Sequence, residues 1–249
     1  MAQTRKLPVA VLCLMLAACQ TRMPYGDDVA PVRNYIAIAT PEAGQRQFIV
    51  HDPVEGFNKQ VYKFNARLDD YVLIPIVNGY KYIVPEVIRG GVSNFFLNVG
   101  EVTNFTNAAL QASPKKASKT LGRFVVNTTA GLLGTVDVAT KIGLARQPED
   151  FGQTLGKWGY GPGPYLVLPL VGPSNVRDAA GRIVDLVALS ALIPNNIEGE
   201  TGYKVVTYGV LPVDARYRNN FRYFNSGSPF EYELVRFINT QARKAEIEK

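Results

Sequence analysis

Past residue 52 the apolar positions recur mostly at steps of three and four, the period of an amphipathic helix. The first stretch opens on Asp52-Pro53-Val54-Glu55, which predicts a helix with Asp52 as N-cap and Glu55 closing a capping box. Val54, Phe57, Val61, Phe64, Leu68 and Tyr71 form its apolar face, Lys59, Lys63 and Arg67 a separate basic ridge, and Pro75 is expected to end it. A longer helical pattern runs from Pro85 to Ala112 through Ile88, Val92, Phe95, Val99, Val102, Phe105 and Ala109. Its polarity comes from Asn94, Asn98, Asn104 and Asn107, with Glu101 the one charge between Arg89 and Lys115. Ser113-Pro114 predicts the next helix, with Lys115, Lys116, Lys119 and Arg123 opposite Ala117, Leu121, Phe124 and Val125.

The rest of the pattern is less regular. Asn127 to Ile142 is apolar and punctuated by Gly131 and Gly134, which leaves a buried hairpin or a loop facing lipid. Tyr165 to Val171 is a short apolar run broken by Pro169. Asn175 to Ile193 predicts a helix with Arg177, Asp178, Arg182 and Asp185 on one arc, whereas Gly202 to Val210 is ambiguous between helix and strand. From Pro229 a last amphipathic helix carries Phe230, Leu234, Phe237 and Ile238 and ends in a charged tail, Ala242 to Lys249, expected to be solvated. Several helices without strand alternation predict an all-α fold, and no window is long and apolar enough to span a bilayer.

The N-terminus reads as an address. Arg5 and Lys6 precede a ten-residue apolar run, Leu7 to Leu16, the layout of a secretory signal. Leu16-Ala17-Ala18-Cys19 then resembles a bacterial lipobox, in which the cysteine is acylated and becomes the mature N-terminus. The expected organisation is a signal peptide at 1–18, a lipidated N-terminus and tether at 19–51 and a helical domain at 52–228. A C-terminal helix and tail follow at 229–249. Gln20 after the cysteine, in place of aspartate, favours the outer membrane.

Composition narrows the chemistry. The formal charge of +6 falls to +4 without the signal's Arg5 and Lys6, too mild a surplus to argue for nucleic acid. Both cysteines, Cys13 and Cys19, lie at the N-terminus, so disulfides and Cys/His zinc sites are excluded from the mature body. The one histidine, His51, would have to serve any catalytic triad alone. No nucleophile elbow, P-loop or dinucleotide turn occurs; the prolines in Gly159-Tyr160-Gly161-Pro162-Gly163-Pro164 remove donors that a phosphate cradle needs. No enzymatic activity and no cofactor or metal are expected.

Several stretches resemble the MlaA (VacJ) lipoprotein family. They are Asp52-Pro53-Val54-Glu55-Gly56-Phe57-Asn58 with Phe64-Asn65, Val92-Ser93-Asn94-Phe95-Phe96-Leu97-Asn98-Val99 with Glu101, and Arg123-Phe124-Val125-Val126-Asn127-Thr128. The most specific is Asp150-Phe151-Gly152-Gln153-Thr154-Leu155-Gly156-Lys157-Trp158-Gly159, continuing to Arg177-Asp178 and Gly181. The resemblance covers roughly 52–216; Val102 stands where the family usually has proline. It implies a ring-like helical body in the periplasmic leaflet of the outer membrane. Such a body removes misplaced phospholipids from the outer leaflet, passes them to the periplasmic carrier MlaC, and associates with trimeric porins. The alternative is a lipid-anchored scaffold that binds porins without moving lipid; a phospholipase would need a catalytic dyad that is absent from the sequence.

Under this resemblance the candidate gate or passage residues are Phe64, Asn65, Glu101, Asn127, Gly131, Leu132, Leu133 and Gly134, with Cys19 as anchor. Each has a plainer reading. The segment from Gly131 to Gly143 is either a mobile gate or a tightly packed turn; Glu101 either lines a polar path or sits in a salt bridge. Trp158, Tyr160 and Tyr165 either mark the headgroup level of a membrane or pack a core. The Lys115–Arg123 ridge either touches anionic headgroups or is a solvated face.

Overall fold

The computed structural model describes residues 50–249; the expected signal peptide, the expected anchor at Cys19 and nearly all of the expected tether lie outside the described residues. The body is built of helices with one small hairpin. In chain order these are α1 (Glu55–Leu68), α2 (Ile74–Ile83), α3 (Glu86–Leu110), α4 (Pro114–Thr129), α5 (Val138–Lys141) and α6 (Phe151–Lys157). Strands β1 (Tyr165–Leu168) and β2 (Gly172–Asn175) follow, then α7 (Val176–Ala191), α8 (Asn195–Glu198), α9 (Thr201–Val205), α10 (Leu211–Arg218) and α11 (Glu231–Glu248). The all-α expectation holds, with the antiparallel pair β1–β2, Tyr165 opposite Asn175, as its one exception. None of the described helices is long and apolar enough to cross a membrane.

Two local expectations are corrected. Pro75 does not end the first helix. A π-helical turn, Asp69–Leu73, joins α1 to α2, and Pro75 sits at the start of α2. A second π-helical turn, Val206–Val210, precedes Pro212 at the start of α10 in the same way, and resolves the ambiguous stretch as helical. Proline has no N–H to donate and its ring crowds the carbonyl four residues back; a widened turn relieves both problems and lets the helix continue. Nor is Asp52 the cap of α1, which starts at Glu55 behind Val54 with no side-chain cap. Asp52 instead accepts from Asn58 at 2.7 Å and from Arg236 at 2.9 Å, tying the start of α1 to α11.

The main apolar core is small. Val61, Tyr62, Ala66, Tyr165, Val167, Tyr223, Tyr232 and Val235 bring together α1, β1, the segment before α11, and α11 itself. The Tyr62 ring meets those of Tyr223, Phe224 and Tyr232 edge-on, at centroid distances of 4.7, 5.6 and 5.7 Å. Its hydroxyl donates to Glu231 at 2.7 Å, and burial beside that carboxylate pushes the phenol far above its usual range.

β1 has a covered second edge. On it Asn58 donates to the Tyr165 carbonyl at 3.0 Å and accepts from Val167 N–H at 2.9 Å. Two turns along α1, Asn65 donates to Leu168 O at 2.9 Å and accepts from Leu170 N–H at 2.8 Å. The two amides stand in for a missing strand and satisfy backbone groups that burial would otherwise leave unpaired.

α6 and α7 cross at a glycine pair. A Cβ on Gly181 would lie 2.3 Å from the Gly152 nitrogen, so the two backbones approach too closely for any side chain there. Asp150 caps α6 and Asn175 caps α7, each accepting from the N–H three residues on at 2.9 Å. The tail of α11 packs over this crossing, with Arg243 held by Asp150 and Asp178. The expectation of a wholly solvated segment from Ala242 to Lys249 fails at that residue.

Candidate functional site

The distribution of polarity is inverted across most of the body. On α3 the buried positions are Ser93, Asn98, Glu101, Asn104, Asn107 and Ala108. On α4 they are Thr120, Arg123 and Asn127, and on α7 Arg177, Asp178 and Gly181. The apolar arcs of the same helices face outward: Phe95 and Val99 on α3, Leu121 and Val125 on α4, Ile183, Val184 and Val187 on α7. Beyond α1, Ile83 is 77% exposed, Val87 84% and Tyr82 92%. Exposed apolar surface on this scale marks a site of contact with a membrane or another protein.

Many of the buried polar groups bond to one another, while Asn98 Oδ1 and Thr120 Oγ1 are buried without a hydrogen-bond partner among the described residues. Arg123 donates to Glu101 at 3.0 Å and to Asp137 at 3.1 and 3.2 Å, and Asn104 donates to the other Glu101 oxygen at 2.9 Å. Burial alone would raise the Asp137 carboxyl, but hydrogen bonds from Thr140, Asn127 and Arg123 hold it down at about 2. Asn107 donates to Asp185 at 2.8 Å and accepts from Thr154 at 2.8 Å, joining α3, α7 and α6.

This network relocates several predicted site residues. Glu101 is 1% exposed and locked in an ion pair, so it does not line an open polar path. Both ends of the Asn65 amide are committed to the β1–β2 hairpin. Asn127 accepts from Ala139 N–H at 2.8 Å and donates to Asp137 at 3.1 Å, fixing the turn after α4. Tyr165 lies in the core at 2% exposure, away from any interface. Trp158 and Tyr160 are exposed, as is Phe64 on the outward side of α1.

The glycine segment is neither a hairpin nor a loose loop. α4 runs to Thr129, after which Leu133 N–H bonds to Thr128 O, Gly134 N–H to Asn127 O at 2.8 Å and Val136 N–H to Gly131 O at 2.9 Å. A Cβ on Gly131 would lie 2.2 Å from the Val136 carbonyl oxygen, and one on Gly134 would meet the Asn98 side chain at 2.5 Å. Leu132 and Leu133 both take left-handed backbone, φ 51° and 59°, and project outward at 72% and 68% exposure. Two consecutive leucines held in this strained region require a surrounding structure that fixes them.

The concavity that does open beside this turn went unpredicted as a site. A groove of about 610 Å³ lies between the first half of α3 and the π-helical turn Val206–Val210, closed at one side by Thr135 and Val136. Val87, Ile88, Gly91, Val92, Phe95, Phe96 and Val210 line it, an almost wholly apolar wall of a size that accommodates a small-molecule ligand. Asn94 donates to the Thr135 carbonyl at 3.1 Å and holds the turn against α3. The i, i+4 pair Val206 and Val210 was the one available signal on the far wall, in a stretch whose period is too short to interpret.

The sequence profile of the MlaA lipoprotein family matches residues 50–246. The chain belongs to this family. The intermembrane phospholipid transport system lipoprotein MlaA of Haemophilus influenzae is 35% identical over 172 residues, 68% of each chain. Its Escherichia coli counterpart is 39% identical over 141 residues, covering 54% of this chain and 55% of that one, so the likeness spans about half its length. An uncharacterized protein of Rickettsia felis is 36% identical over 205 residues, 80% of this chain and 79% of that one. A solved structure from work on the structural basis for maintenance of bacterial outer membrane lipid asymmetry matches with a TM-score of 0.63 and 32% identity. That match covers 80% of this chain and 100% of the solved one. The MlaA family is one of transport lipoproteins, and the all-helical body with its small hairpin agrees with that neighbour's fold.

Proposed function

We propose that this chain is the outer-membrane lipoprotein of an intermembrane phospholipid transport system. In this reading Cys19 is acylated and the body lies in the periplasmic leaflet. Phospholipid misplaced in the outer leaflet is taken up and handed to a periplasmic carrier of the MlaC kind, and trimeric porins are the membrane partners. The observation that carries the reading is the inverted body with its apolar groove. A water-soluble fold would hide Ile83, Val87, Ile183 and Val187, whereas a leaflet of acyl chains solvates them. Each large side chain immersed in lipid contributes on the order of 1.5–3 kcal/mol. Much of the polar interior is engaged within itself, and the outward apolar arcs with the 610 Å³ groove offer acyl chains their path.

The groove can be blocked at one position. A Cβ on Gly91 would sit 3.8 Å from Thr135, ordinary contact, so Gly91→Ala fits, while Gly91→Phe fills the groove. The full chain purified from membranes should carry phospholipid and transfer it to a purified carrier. Gly91→Phe should abolish transfer at normal protein abundance, and Gly91→Ala should retain it. Equal transfer by both variants would overturn the assignment of the groove, and absence of bound lipid in the unaltered protein would favour a scaffold.

A further inference from the structure

A second concavity, unlike the first, is polar. It measures about 90 Å³ and lies between α2 and the end of α10, lined by Ile74, Val77, Asn78, Lys81, Arg216, Tyr217, Asn219, Asn220 and Arg222. Three of these are cations and three are primary amides. We infer that this pocket binds a phosphate group, and specifically the phosphate of a phospholipid headgroup. The inference rests on the lipid-handling reading above and adds to it a headgroup site separate from the apolar groove.

The charge balance is the first argument. Arg216 forms the buried floor, its guanidinium bidentate to Asp69 at 2.7 and 3.2 Å and its remaining arm donating to Asn219 O at 2.8 Å. Burial pushes the Asp69 carboxyl up to about 7 against the pull of Arg216, with Asp70 raising it further and Arg222 close enough to lower it. Lys81 and Arg222 stand at the mouth, and among the described residues neither has an ion-pair partner. Lys81 is held over the Tyr217 ring at 5.7 Å, and Arg89 approaches the same ring at 5.0 Å, so positive charge is gathered on this side, with Asp69, Asp70 and Asp214 the acids nearby. Three cations around a small concavity with amide donors, two of them outside any salt bridge among the described residues, form a site for a compact, multiply accepting anion.

Placement is the second argument. On α2 the pocket-lining Ile74, Val77, Asn78 and Lys81 share one face, while Ile76 and Ile83 are exposed on the other. A helix with an apolar outer face and a basic pocket behind it lies at the depth where acyl chains give way to phosphates. A volume of about 90 Å³ takes a headgroup phosphate and excludes the chains attached to it.

The test compares the full chain, purified in detergent, with Lys81→Ala/Arg222→Ala and with the charge-keeping Lys81→Arg/Arg222→Lys. Radiolabelled phosphatidylglycerol and diacylglycerol are offered in mixed micelles, with inorganic phosphate as competitor. The double-alanine variant should retain phosphatidylglycerol at least about tenfold more weakly, and the charge-keeping one nearly normally. Diacylglycerol, which lacks phosphate, should bind all three alike, and 0.5 M salt should erase much of the difference. Phosphatidylglycerol retained equally by all three would overturn the proposal, as would an equal loss of diacylglycerol. Competition by millimolar inorganic phosphate with no dependence on the lipid would replace the headgroup by free phosphate and overturn that part. Gly91→Phe run alongside separates the two sites: if it alone weakens lipid retention, the groove stands and the phosphate pocket falls.

Discussion

Arg123 Nε lies 3.0 Å from Oε1 of Glu101, and the two side chains are 3% and 1% exposed. The same guanidinium reaches Asp137 on the far side of the turn after α4, and Arg146 approaches Glu101 at 3.3 Å. One arginine therefore joins α3, α4 and the Asp137 cap of α5. Truncating it strands a buried carboxylate, and Arg123→Met should cost about 3–5 kcal/mol. The double replacement Glu101→Leu/Arg123→Met should cost less than the sum of the singles, because neither member of the pair is left buried without the other, although Asp137 and Arg146 each still lose a partner. Chemical unfolding in detergent of the four species measures this; additive losses would mean that the pair is not coupled.

Acid should loosen the body at two places. Asp137 and Asp150 both titrate near 2 in the folded chain against an ordinary 3.8: burial opposes this, but hydrogen bonds from Thr140, Asn127 and Arg123, and from Arg243 and Gln153, prevail. A depressed carboxyl stabilises the fold fully above about pH 4, and that contribution drains away as pH falls from there towards 2. The urea midpoint should drop between pH 5 and pH 3, and Asp150→Asn should show less of that drop. An unchanged slope in the variant would remove Asp150 as a source.

The turn after α4 should reject any side chain at Gly131, since the atom in the way is the backbone oxygen of Val136. Gly131→Ala should deplete the protein from membranes, whereas Gly90→Ala, whose Cβ meets nothing within 4 Å, should be neutral or stabilise by up to about 1 kcal/mol. Immunoblots of membrane fractions distinguish them. Normal abundance of Gly131→Ala with altered sensitivity to SDS and EDTA would restore a mobile gate at this turn.

Ile83→Asp with Val87→Asp should separate folding from membrane contact. Both side chains are already largely exposed, so the unfolding free energy in detergent should stay within about 0.5 kcal/mol of the original. Binding to phospholipid vesicles, measured in a Cys19→Ser background, should fall sharply. A matched loss of stability would instead place these residues in a packed interface.

Periodicity located most of the helices because a helix has two faces wherever polar and apolar residues alternate at its pitch, and α3, α4, α7 and α11 begin and end within a few residues of the expected positions. The caps Asp150 and Asn175 and the glycine crossing of α6 and α7 emerged only with the structure, although each cap bonds a neighbour three residues away. Which face turns inward was decided only in three dimensions. The rule that apolar arcs pack inside assumes water outside, and here Asn98, Glu101 and Arg123 are enclosed while Val99, Leu121 and Val125 are not. Asn65, expected as a gate or passage residue, and Asn58 bond backbone groups of a strand region more than a hundred residues away. Likewise Pro75 ends a helix by local rule, and only the π-helical turn packed before it lets the chain run on. Partners distant in sequence leave no periodic trace in the sequence.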